Sequence, residues 1–103
     1  LVDAAIAHKD AAELNKLAWS IVDPEAKLAE RDLDLALRAA QNAVELTEWK
    51  DGSILDTLAR VHATKGDLAK AIELQTKAVE VSSGQLRKQL EEVVAEYMRK
   101  NTQ

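Results

Sequence analysis

A chain of 103 residues makes one domain, and by surface scaling it buries roughly two-thirds of its unfolded surface. It is 47% hydrophobic, yet it has no Phe, two Trp, one Tyr, three Gly and one Pro. Its apolar content is almost entirely Ala, Leu, Val and Ile, which suits closely spaced helices more than β-branched and aromatic strands. The net charge of −4 argues against a nucleic-acid surface, which needs clustered Lys and Arg, and no apolar run approaches the roughly 20 residues that span a bilayer.

In chain order, residues 1 to 9 read as helical, either fused to the next helix or the tail of a preceding one. From Asp10 to Val22, Leu14, Leu17, Ala18 and Ile21 form one stripe, and Asp10 with Glu13 makes a capping arrangement. This helix stops near Asp23, because Pro24 disfavours helical geometry in the residue before it. A second main helix is predicted over Leu33 to Leu46, with Ala36, Leu37, Ala40, Ala43 and Val44 inward. A third begins at Ser53, with Asp56 as its capping partner, and carries Ile54, Leu55, Leu58, Ala59 and His62. Gly66 ends it in a left-handed conformation. Asp67 caps the fourth, whose stripe is Leu68, Ala71, Ile72, Gln75, Ala78 and Val79. The fifth starts after Ser83-Gly84 and shows Leu86, Leu90, Val93, Val94, Tyr97 and Met98. The expected fold class is all-α, an antiparallel run of helix hairpins joined by short loops. Leu17, Leu58, Ala59, Ala71 and Ala78 are expected to be buried.

A repeat runs through these elements. Ala36, Ala43 and the pair Val44-Glu45 recur 35 residues on as Ala71, Ala78 and Val79-Glu80. A helix pair at about this period resembles the tetratricopeptide repeat. Leu55, Leu58, Ala59 and His62, then Ala71, Gln75 and Ala78, fit one unit. Leu14, Leu17, Ala18 and Ile21, then Ala36, Ala40 and Ala43, fit the other. Leu90, Val93, Val94 and Tyr97 supply a first half only, and Tyr97 is the one family aromatic retained. Repeat one spans about 11–50, repeat two about 52–85, and a capping helix about 84–100. From Leu14 to Leu55 is 41 residues, but Leu55 to Leu90 is 35, so six extra residues lie between the helices of the first unit, within "VDPEAKLAERD". Asp23-Pro24-Glu25 fits an N-cap followed by Pro at the first helical position; an extra helical turn and an irregular loop accommodate the insertion equally well.

That resemblance implies a concave surface lined by first-helix side chains that binds extended peptides. In this register the lining is Ala12, Asn15, Trp19 and Val22, then Ser53, Asp56, Arg60 and Thr64, then Lys88, Glu91 and Ala95. Asn15, Trp19, Asp56, Arg60, Thr64, Lys88 and Glu91 are the candidate partner-binding residues, with Trp19 and Arg60 as anchors and Asp56 and Glu91 turning acidic ligands away at the rim. Trp19 fits two places, the groove or the core beneath the inserted segment. The terminal-carboxylate clamp of chaperone-tail binders in the family uses Lys and Asn; Asn15, Trp19, Thr57, Lys88 and Glu92 stand at those places, with only one basic residue among them, which argues against that activity.

The same wording also resembles helical tails that follow thioredoxin-like (redoxin) domains in some bacterial proteins. That likeness implies an accessory C-terminal domain serving stability or dimerisation. The start at Leu1, without Met or a signal-like segment, fits a piece of a longer chain. With no Cys, this piece has no disulfide, thiol chemistry or zinc–thiolate site, and the compartment stays undetermined.

No catalytic, cofactor or metal site is expected. His62 stands where the family has Tyr and reads as partly buried, and neither it nor His8 lies in an HxxxH or HxxE cluster. Asp23, Glu25, Glu30, Asp32 and Asp34 read as solvated acidic surface, as do Glu91, Glu92 and Glu96. "DPEAKLAERDLD" lacks the Gly that a calcium loop requires. The expected function is a non-catalytic protein-interaction or scaffolding module with a protein or peptide partner, present as a monomer or weak homodimer.

Overall fold

The computed structural model describes residues 1–103 and contains six helices and no strand: α1 (Val2–Ala7), α2 (Ala11–Val22), α3 (Leu33–Leu46), α4 (Gly52–Thr64), α5 (Leu68–Glu80) and α6 (Gly84–Asn101). No helix is long and apolar enough to cross a membrane.

Aspartate starts most of these helices. Asp10, Asp32 and Asp67 each accept a hydrogen bond from the backbone amide three residues on, at 3.0 Å. This satisfies one of the amides that a helix start leaves without a partner. α4 differs from the sequence expectation: its cap is Asp51, whose carboxylate accepts from both Ser53 and Ile54 amides, so the helix starts at Gly52. Asp56, expected as the capping partner, faces α5 instead.

Left-handed residues end several helices. Gly66 (φ 95°) follows α4 as expected, while Lys9 (φ 53°), Glu48 (φ 57°) and Trp49 (φ 62°) do the same after α1 and α3 without glycine. The turn at Lys9 separates α1 from α2, so residues 2–7 are a helix of their own. The insertion is irregular rather than helical: Asp23 accepts from the Glu25 and Ala26 amides in a single turn, and no further helix forms before Leu33.

The helices stack as hairpins in chain order, α2 with α3 and α4 with α5, and α6 lies along α5. α2 also touches α4, and α4 touches α6, whereas α3 and α5 do not meet. The α2–α4–α6 row is therefore the narrower side of a repeat-like, two-layer bundle whose shortest dimension is 20 Å, about the depth of two helices packed 8–10 Å apart.

Small residues permit this closeness. Ala18, Ala36, Ala39, Ala40, Ala43, Ala59, Ala71 and Ala78 have no exposed surface, and Leu14, Leu55, Leu58 and Tyr97 fill the space between them. Leu17, expected to be buried, is half-buried at the α1 end of the bundle, where it borders an open hollow with Leu1, Val2, Ile21 and Leu35. Leu86 and Met98, expected on the inward stripe of α6, are exposed.

Gly52 marks one close approach. A Cβ there would run into the Ser82 hydroxyl and stand 3.1 Å from the Ala78 carbonyl oxygen and 3.3 Å from Leu90 Cδ1. The hydroxyl can rotate away, but the carbonyl is part of α5 and cannot. Gly52→Ala is expected to lower stability by about 1 kcal/mol, read as an earlier urea midpoint, with Ser82→Ala in the same chain recovering part of the loss. A gain in stability from Gly52→Ala would show that α4 and α5 approach less closely.

Candidate functional site

The narrower side carries a set of polar side chains from α4, α5 and α6. Arg60, near the middle of α4, lies with its guanidinium carbon 4.9 Å from the centre of the Tyr97 ring. Its Nη1 donates to Glu96 at 3.1 Å, and Lys100, one turn further along α6, reaches the same Glu96 oxygen at 3.3 Å. Only 14% of the Arg60 side chain is exposed, so this pair is shielded far more than a surface ion pair. Burial acts to raise the Glu96 carboxyl, but hydrogen bonds and charge from Arg60 and Lys100 outweigh it and hold the group below its ordinary range.

Beneath this pair, Gln75 of α5 is fully buried. Its Nε2 donates to Asp56 at 2.8 Å and to the Leu90 carbonyl at 3.3 Å. It thus ties three helices together. Desolvation raises the Asp56 carboxyl above its ordinary value, against the lowering effects of the Gln75 bond and the Arg60 charge. Burial likewise raises the Tyr97 phenol, whose hydroxyl finds no hydrogen-bond partner.

Arg31, in the connection between α2 and α3, closes the other edge. It donates to the backbone carbonyls of Ile21, Asp23 (3.1 Å) and Ala26 (2.9 Å). These bonds hold the inserted segment on the end of α2, doing with one side chain what an extra helix would have done by packing. Arg31, Arg60 and Lys100 then line one open cleft of about 230 Å³, with Thr64 and Tyr97 beside them and Val22, Pro24, Ala63 and Leu68 as its apolar walls.

The expected groove residues distribute unevenly. Arg60 and Thr64 line this cleft, although the Thr64 hydroxyl donates to its own helix at the Arg60 carbonyl. Asp56 is half-buried and turned to Gln75, whose amide it accepts from. Trp19 is half-buried and packed against the core, and Asn15 is half-buried with its carbonyl oxygen enclosed and unpartnered. Ala12 and Ser53 are exposed, and Val22, expected to face the groove, lines the cleft while keeping only 2% exposure. On α6 the expected face is displaced. Lys88 is exposed, and Glu91 and Ala95 border a separate apolar groove with Val79, Val94 and Met98. The α6 residues that meet α4 are Leu90, against Gly52, and Glu96 and Tyr97, against Arg60, with Lys100 beside them at the cleft.

Glu96, expected as solvated surface, is instead half-buried against Arg60. With Lys100 it forms an i,i+4 acid–base pair, a spacing visible in the sequence. Arg31 carried no such signal, since its partners are main-chain atoms of a loop. His62, as expected, is half-buried, and burial lowers its basicity, partly countered by Asp67. Comparison with protein-family models, curated proteins and solved structures finds no match to this chain.

Proposed function

We propose that the chain is a non-catalytic protein-interaction module of tetratricopeptide type, taking an extended peptide along the α2–α4–α6 row. The observation that carries this is the packing order. Three first helices lie side by side on the narrower face with α3 and α5 behind them, so a ligand there meets several helices at once. Trp19 and Arg60 belong to neighbouring helices of that row, and tryptophan and arginine most often anchor interfaces. Trp19 serves both layers: its buried part packs on the core, and its exposed edge is left for a ligand.

Linear peptides displayed on phage and selected on the full chain supply the test. A selected peptide is expected to lose at least about tenfold in affinity with Trp19→Ala, in line with hot-spot truncations of about 2 kcal/mol, and helical circular dichroism is expected to persist. Loss of that helical signal in Trp19→Ala, together with normal binding by Arg60→Ala, would place Trp19 wholly in the core and remove the groove.

A further inference from the structure

Resting on the peptide-binding reading above, we propose that the cleft between Arg31, Arg60 and Lys100 is an anion site that seats a carboxylate of the bound peptide. Three cations line it and no acidic residue does, on a chain whose net charge is −4. Arg60 and Lys100 share the Glu96 carboxylate and Asp56 acts on Arg60 through its charge, so together with Arg31 three cations face two carboxylates. Arg31 makes no ion pair at all: its hydrogen bonds go to three main-chain carbonyls.

Those carbonyls fix the Arg31 guanidinium without neutralising it. A guanidinium has five N–H donors, which leaves Nε–H and one Nη2–H free. Arg60 is equally constrained, by the Tyr97 ring on one side and Glu96 on the other. Two positioned guanidiniums and an ammonium need little reorganisation to receive a planar carboxylate, the group whose geometry an arginine fork matches. Lys100, with 55% of its side chain exposed, is free to turn from Glu96 towards an arriving anion.

The walls favour a peptide over a free inorganic ion. Pro24, Ala63 and Leu68 offer apolar surface to the methylenes of a glutamate side chain, and the Thr64 oxygen keeps acceptor capacity for a main-chain amide. A small inorganic anion would leave both unused. The location is also distinct from the groove positions Asn15, Thr57 and Lys88: it depends on Arg31 in the inserted segment and on the last turns of α6.

The probes are a hexaglutamate peptide, a hexaglutamine peptide with a blocked C-terminus, and inorganic phosphate, each titrated into the ¹⁵N-labelled full chain. Hexaglutamate is expected to shift the Arg31 and Arg60 side-chain signals, hexaglutamine to leave them in place, and phosphate to bind at least tenfold more weakly than hexaglutamate. Lys100→Gln should weaken hexaglutamate about threefold to tenfold, as one partly exposed charge would, and Lys100→Glu should abolish the shifts while circular dichroism stays helical. Hexaglutamate shifts that are absent, or that survive Lys100→Glu, would overturn the site. Phosphate matching hexaglutamate would assign the cleft to a free anion and overturn the peptide source. Shifts confined to the Trp19 indole and α2, with the cleft silent, would also overturn the site while leaving the groove intact.

Discussion

Replacing Tyr97 with alanine is expected to cost about 3–5 kcal/mol, the range for deleting a buried aromatic side chain. Tyr97 is the largest side chain with no exposed surface. It forms the floor under Arg60, whose guanidinium sits over its ring, so the variant loses core volume and a cation–π contact together. A domain of this size has about 5–15 kcal/mol in total, so Tyr97→Ala should remove a large share of it and unfold at a much lower urea concentration than the parent. Tyr97→Phe separates ring from hydroxyl. The hydroxyl is enclosed and has no partner, and a buried unpaired polar group costs about 1–3 kcal/mol. Phenylalanine should therefore equal or exceed the parent in urea midpoint with an unchanged slope. A loss above about 1 kcal/mol in Tyr97→Phe would mean the hydroxyl is hydrogen-bonded in the folded state.

The second large effect is expected from Ala71→Leu. Ala71 is fully enclosed on α5, as are Ala59 on α4 and Ala78 further along α5, and no cavity opens beside it to take three more carbons. Overpacking of this kind costs about 1–3 kcal/mol. The control is Ala69→Leu, an exposed position on the same helix, which should change stability by no more than about 0.5 kcal/mol. Equal urea midpoints for the two variants would show that α5 is rotated away from the register described.

Both variants act on positions that the amino-acid pattern made legible, and the reason is local. Asp10, Asp67 and Gly66 declare helix ends through chemistry confined to one turn, and the alanine recurrence marks the face that must pack. Where two local signals overlapped, the pattern could not rank them. Ser53 and Asp56 have capping spacing, but Asp51 stands two residues earlier with an extended backbone (φ −105°) and takes both amides. Asp56 was thereby released for Gln75, a contact 19 residues away. Lys9, Glu48 and Trp49 turn the chain left-handed without the glycine that usually announces it. The α6 face was misread for a tertiary reason: helical periodicity identifies its apolar stripe but not which flank of that stripe meets α4. Arg31 was hidden most completely, because its partners are carbonyls that every residue has.

α6 is unusual in holding so long a helix with so little. Of its eighteen residues only Leu90 and Tyr97 are buried, and it rests mainly on α5. Stability within one domain is graded, and elements with few enclosed side chains open at lower free energy than the centre. α4 is that centre, touching α2, α3, α5 and α6. The C-terminal helix can therefore peel while the inner hairpins persist, carrying Glu96, Tyr97 and Lys100 away from Arg60 as it goes. Closure of α6 and assembly of the cleft are one event, so by mass action whatever occupies the closed cleft also holds the helix down. Amide exchange in α6 would then report occupancy at its far end.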